Sequence, residues 1–162
     1  VGKKSFAVLS TAVLTLSMLA TPFADAAEVT RESYKEAVEP ICKHNVEADK
    51  KILKGVKSKI KAGKLKPAAT QFTKAAAALE KAVKQLKAVP QPTADEAKLS
   101  KWLKLTNEEV GFLRQTAKKL KAGDKNGALK MQLRLEHTAN QANNQVIGFE
   151  FKYCRVEPSK FT

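Results

Sequence analysis

Apolar residues recur at intervals of three and four from Cys42 to Tyr153, and that spacing commits the chain to helices. Cys42, Val46, Asp49, Leu53, Val56 and Ile60 follow a 4-3-4-3-4 pattern, which keeps side chains on one stripe of a 3.6-residue turn. Phe72, Ala76, Leu79, Val83 and Leu86 form a second stripe, and Leu99, Leu103, Thr106, Val110, Leu113, Ala117 and Leu120 a third. The fourth runs through Ala128, Gln132, Leu135, Ala139, Ala142, Val146, Phe149 and Tyr153. No segment shows the β-branched alternation between turn signals that marks a strand. The chain reads as all-α.

Local chemistry sets the expected boundaries. Pro40 and Pro67 suit first-turn positions, where the missing N–H costs nothing. Thr93-Ala94-Asp95-Glu96 fits a capping box. Gly63 and Gly123 each follow Lys-Ala and suit left-handed C-terminal positions, and Asp124 can cap the next helix. Pro90-Gln91-Pro92 separates the middle pair. These signals predict helices at about 40–62, 67–89, 93–122 and 124–153, with a shorter leading helix at about 30–38. Connections this short make successive helices antiparallel neighbours, so the expected fold is an up-down-up-down four-helix bundle of two antiparallel hairpins. Ile60-Lys61-Ala62-Gly63 matches Leu120-Lys121-Ala122-Gly123 at an offset of 60, which Leu53/Leu113, Ala68/Ala128 and Ala82/Ala142 keep. Tetratricopeptide hairpins are excluded by their period of about 34 and their Trp/Tyr signature.

The first residues carry an expected address. Lys3 and Lys4 precede an uncharged run from Phe6 to Ala20, and Ala24-Asp25-Ala26 follows. These are the parts of a secretory signal peptide over 1–26, removed after Ala26. The run is short for a membrane span, which needs about 20 residues. Residues 27–162 then form one domain, large enough for a hydrophobic core, in a secreted or periplasmic protein. Two cysteines remain, Cys42 and Cys154. In an oxidising compartment they read as a structural disulfide, since a redox pair favours Cys-x-x-Cys spacing. The bundle topology brings the start of the first helix and the end of the last to one end, where the bond closes the bundle. Arg155 to Thr162 is expected to pack along the leading segment.

Pro40-Ile41-Cys42, the Lys-Ala-Gly turns and the close Phe149-x-Phe151-x-Tyr153-Cys154-Arg155-x-Glu157-Pro158-Ser159-x-Phe161 resemble those of uncharacterised small exported helical proteins of bacteria. The resemblance spans the mature chain. It implies export and the bundle, and no chemistry.

Charge is the strongest functional signal. The chain has 30 basic and 16 acidic residues; without Lys3, Lys4 and Asp25 the balance is 28 against 15, or +13. From Lys50 to Lys87 there are twelve lysines, no arginine and one acid, Glu80. Lys50, Lys54, Lys57 and Lys61 run 4-3-4 beside the first core stripe, Lys64 and Lys66 mark the turn, and Lys74, Lys81, Lys84 and Lys87 follow. This basic hairpin suits a polyanion; the plainer alternative is a solvated face that keeps the protein soluble. Without arginine, and with Phe72 as its one aromatic, it does not suit sequence-specific nucleic-acid recognition. The expected partners are anionic envelope polymer, anionic lipid headgroups or extracellular DNA.

Other chemistry is sparse, and no cofactor is expected. Ile41 and Arg134 stand three before His44 and His137, so the Glu-x-x-His pairs of di-iron bundles are absent, as is Cys-x-x-Cys-His. His44 with Glu47 and Glu150 is the one metal candidate, against the plainer reading of a surface histidine beside a carboxylate. Asn140, Asn143 and Asn144 share a side of the last helix, with Gln141 and Gln145 adjoining; such amides line a polar pocket or interface, or form a solvated flank. Asp49 and Gln132 interrupt apolar stripes, and Asp49 is expected to turn outward to a lysine. The pairs Glu108-Glu109 and Asp95-Glu96 are assigned to early helical turns, where acids favour the macrodipole. No hydrolase, zinc-protease or phosphate-loop motif occurs. The sequence points to a non-enzymatic bundle that contacts anionic surfaces through its first hairpin. The alternative is a small-ligand or metal carrier using the interior near His44, Asp49 and the amides.

Overall fold

The structure, a computed structural model, describes residues 28–155. The expected signal peptide and the packing of the tail beyond Arg155 lie outside them. Five helices follow in order: α1 (Arg31–Ile52), α2 (Val56–Lys61), α3 (Leu65–Lys87), α4 (Glu96–Lys121) and α5 (Lys125–Gln145). Four are long, none of the described residues is in a strand, and the all-α four-helix arrangement stands.

The first long helix differs from expectation at both ends. Thr30 and Ser33 cap it reciprocally, Thr30 Oγ1 accepting from Ser33 N–H at 3.1 Å and Ser33 Oγ from Thr30 N–H at 3.0 Å. The helix then continues through Pro40, so no separate leading helix exists and Pro40 is an interior residue, not a starter. At the other end α1 stops at Ile52, and Gly55, at φ 73°, starts the short α2. Gln71 of α3 holds this break. Its Nε2 donates to the carbonyls of Ile52 (2.5 Å) and Lys54 (3.1 Å), and its Oε1 accepts from Lys59 Nζ at 2.9 Å. Tertiary hydrogen bonds thus fix a break that the unbroken apolar spacing conceals.

The two Lys-Ala-Gly turns are built alike. Gly63 and Gly123 have φ of 72° and 78°, as expected of glycines past a helix end. Gly63 N–H donates to Ile60 O and Lys64 N–H to Lys59 O; Gly123 and Asp124 do the same to Leu120 and Lys119. This pair of bonds is the Schellman closure. Asp124 then caps α5, its Oδ1 accepting from Gly127 N–H at 2.7 Å.

The Thr93 capping box does not form. Residues 93–95 make a 3₁₀ turn that moves the N-cap of α4 to Asp95, and the Asp95 carboxylate caps no amide there because it accepts two hydrogen bonds from Arg31 of α1, 2.5 Å from Nε and 2.7 Å from Nη2. The Arg31 guanidinium also lies 5.3 Å from the Phe149 ring centre. These contacts set the start of α1 beside the start of α4, so the two run in the same direction, with α3 and α5 opposed.

The last helix ends at Gln145, eight residues short of expectation. A 3₁₀ turn, Ile147–Phe149, leads to Glu150 in the left-handed region at φ 52°. Leaving the helix lets Phe149 and Phe151 turn inward. Their ring centres are 5.2 Å apart, with Trp102 5.7 Å from Phe151 and Tyr34 6.3 Å from Phe149. The Glu39 carboxylate accepts from the N–H groups of Lys152 (2.6 Å) and Tyr153 (3.0 Å). Cys154 then meets Cys42 at a Cα–Cα distance of 5.0 Å and forms the expected disulfide, delivered by this irregular segment and not by the helix end.

Burial falls into two apolar clusters. One gathers Val56, Phe72, Leu79, Val83, Val110, Leu113, Leu120 and Leu135 with the small alanines of α3 and α4. The other gathers Tyr34, Val38, Leu86, Leu99, Trp102, Val146, Phe149, Phe151 and the disulfide. Along α1, α4 and α5, between the members of the two clusters, stand the buried polar residues Asn45, Thr106, Glu109 and Thr138.

Candidate functional site

All nine expected lysines, Lys50, Lys54, Lys57, Lys61, Lys64, Lys66, Lys74, Lys81 and Lys84, are exposed. The first four do not lie on one helical stripe as expected, because the Gly55 break splits them between α1, the connection and α2. None forms an ion pair among the described residues. Glu80, the one acid in this stretch, is engaged by Arg114 of α4, with Nη2 2.7 Å from Oε2. The ammonium charges are therefore left without internal compensation.

Where the two Lys-Ala-Gly turns come together the surface opens into a groove of about 420 Å³. Gly63 and Gly123 stand at its sides, Lys64, Lys66 and Lys121 line it, and Leu65, Pro67 and Leu120 supply its apolar wall. Asp124 adjoins it, but Oδ1 holds the Gly127 amide and Oδ2 lies 3.0 Å from Lys119 Nζ. That hydrogen bond to the backbone, with the lysine beside it, keeps the Asp124 carboxyl below the usual carboxylate range. Sequence spacing gave no sign of this groove, because its lining comes from residues almost 60 apart.

The interior holds a second arrangement. Asn45 Nδ2 donates to Asp49 Oδ2 at 3.2 Å, while Asn45 Oδ1 and Asp49 Oδ1 are buried with no hydrogen-bond partner. Asp49 therefore does not turn outward to a lysine; it stays half-buried beside Asn45. Burial pushes its carboxyl from 3.8 up to about 7, against the opposing effect of the Asn45 bond. Glu109 is only 8 % exposed, and burial, reinforced by the Asp49 charge, pushes it from 4.5 to about 8. It lies in the middle of α4, not in an early turn. A second stripe on α4, Trp102, Thr106, Glu109, Leu113, Thr116 and Leu120, has the same 4-3-4-3-4 spacing and was the available signal. The layer is rich in acceptors and poor in donors, which suits a shared proton, water or a cation.

The other candidates are not drawn together. His44 is exposed and lines a recess of about 70 Å³ with Asn45 and Lys81. Among the described residues no group of three or more His, Cys, Asp or Glu is placed to hold a metal ion, so His44, Glu47 and Glu150 do not form one. Asn140 and Asn144 are exposed and Asn143 is half-buried. Leu129 and Leu133 are exposed on the same helix. Among the described residues no helix is long and apolar enough to cross a membrane. Comparison of the chain with protein-family models, curated proteins and solved structures found no match.

Proposed function

We propose that this protein is an exported, non-enzymatic helical bundle that associates with anionic envelope surfaces, polymer or lipid headgroups, through the lysines of residues 50–87. The observation that carries this reading is the exposure of all nine lysines with their one acidic neighbour, Glu80, taken by Arg114. Each lysine brought close to an anionic lipid surface contributes about 1 kcal/mol, and several together give reversible, salt-dependent attachment. Export is supported by the Cys42–Cys154 bond, which suits an oxidising compartment, and by the signal-like 1–26 segment. The test is co-sedimentation with vesicles containing phosphatidylglycerol at rising salt. Binding should weaken with salt and with the joint change of Lys50, Lys54, Lys57 and Lys61 to Gln; binding indifferent to both refutes the proposal.

The unpartnered oxygens of Asn45 and Asp49, with Glu109 near them, favour one second reading: a carrier of a small cation or ligand in the interior. A panel of divalent metals in a thermal-shift assay separates the two. A specific ligand raises the melting temperature by mass action and loses that effect in Asp49→Asn, whereas a diffuse polyanion effect disappears with salt.

A further inference from the structure

We propose that the groove between the two Lys-Ala-Gly turns is a discrete binding site for a phosphate ester, the phosphate held by Lys64, Lys66 and Lys121 and its carbon skeleton lying on Leu65 and Pro67. This site rests on the polyanion reading above, but moves its centre from the helical flanks to one pole of the bundle.

Four observations converge there. The surface there is a shallow, open groove of about 420 Å³ that sets three lysines beside the apolar Leu65, Pro67 and Leu120. Its three lysines come from both turns and form no ion pair among the described residues. The adjoining acid, Asp124, has both oxygens committed to Gly127 and Lys119.

The fourth lies in the offset of 60 between the hairpins. Lys64 stands where the other turn has Asp124, and Pro67 where it has Gly127. The first turn of α3 therefore has no acid and no side-chain cap. Its amides are nearly used up without one: Leu65 N–H donates to Gly63 O, Ala68 N–H to Lys64 O, and Pro67 has none. Among the described residues the Lys66 amide has no hydrogen-bond partner. One turn is thus closed by an internal carboxylate, and its counterpart keeps cationic side chains in place of that carboxylate, with Pro67 in place of the amide it takes. A phosphate supplies the missing anion, and the apolar wall favours an ester over the bare ion.

The two sources of such a group are a soluble ester and a lipid headgroup. Glycerol phosphate and phosphatidylglycerol vesicles serve as probes of the disulfide-bonded protein. Two triple variants carry the same charge change: Lys64→Gln, Lys66→Gln, Lys121→Gln in the groove, and Lys98→Gln, Lys101→Gln, Lys104→Gln at exposed positions of α4, outside both the groove and the 50–87 run. Circular dichroism and melting temperature check that each folds. With glycerol phosphate at constant ionic strength, the backbone amide signals of Gly63, Lys64, Lys66 and Gly123 should shift saturably, and the groove variant should abolish this while the other keeps it. On vesicles the groove variant should lose at least tenfold in affinity and the other no more than threefold. Equal losses on vesicles with no saturable shift overturn the site while leaving diffuse attraction intact. A saturable shift without vesicle binding retains the site for a soluble ester and defeats the envelope reading. Neither shift nor binding overturns both.

Discussion

Changing Asp49 to Asn and Glu109 to Gln should remove a pH dependence that the buried layer imposes on folding. In the unfolded chain the two carboxyls titrate near 4; in the fold they titrate at about 7 and about 8. The native state thus binds more protons than the unfolded state between about pH 4 and 8. By linkage, stability falls as pH rises through that window. The contribution is fully present below about pH 4 and is lost as pH passes the folded values. At about 1.4 kcal/mol for each pH unit between the two states, Asp49 alone would contribute about 4 kcal/mol and Glu109 about 5. Because part of the Glu109 rise comes from Asp49, the two act as a coupled pair, and the joint effect is smaller than their sum. Several kcal/mol is still a large share of the roughly 5–15 kcal/mol of a typical domain. Urea titrations at fixed ionic strength from pH 5 to 9 measure it. The wild-type midpoint should fall most steeply between about pH 5 and 7 and level off by pH 9, and the double variant should stay level and become the more stable protein by pH 9. Two curves that fall in parallel would refute the reasoning.

Joint replacement of Cys42 and Cys154 by Ala opens a loop of 112 residues, for which the chain-entropy account gives a loss of about 4–5 kcal/mol in urea unfolding. Arg31→Gln should act on the acid side. The Arg31 guanidinium holds the Asp95 carboxyl below its ordinary range, so that pair stabilises above about pH 4 and its contribution is lost as pH falls; the variant should show a smaller acid-induced drop in melting temperature. Gly111→Ala introduces a Cβ with nothing within 4 Å inside α4 and should raise stability by about 0.5–1 kcal/mol. Tyr34→Phe removes a fully buried hydroxyl that has no hydrogen-bond partner, so its unfolding midpoint should stay level or rise, unlike the usual loss at a core position.

The elements legible in the sequence were those whose cause is local. The 3/4 spacing gave the long helices, and the Lys-Ala-Gly sequences gave two turns because a left-handed glycine closes a Schellman motif with its own helix. Where a partner distant in sequence decides the outcome, spacing was silent. The Gly55 break is held by Gln71, the Thr93 box is replaced by a 3₁₀ turn whose Asp95 is taken by Arg31, and α5 ends at Gln145 so that Phe149 and Phe151 can stack and meet Tyr34 and Trp102. The candidate sites divide in the same way. The lysine run was plain as composition, while the groove depends on two turns meeting and the acidic layer on Asp49 and Glu109 facing one interior.

That layer also explains why the disulfide stands where it does. The buried residues of α1 are Tyr34, Val38, Cys42 and Asn45, so its fully buried apolar side chains end at Cys42, with Ile52 only partly buried at its far end. Beyond Cys42 the inward positions pass to Asn45 and Asp49, which contribute little hydrophobic attraction, and Asp49, once ionised, opposes Glu109. The helix is held instead at discrete points: Arg31 on Asp95, Glu39 on the amides of Lys152 and Tyr153, Cys42 on Cys154, and Gln71 at its far end. The covalent bond lies at the border between the apolar half and the acidic half, where packing alone gives out. A chain that keeps two carboxyls inside its bundle needs such a fastening most at neutral pH, where they begin to ionise, and the Cys42–Cys154 bond provides it.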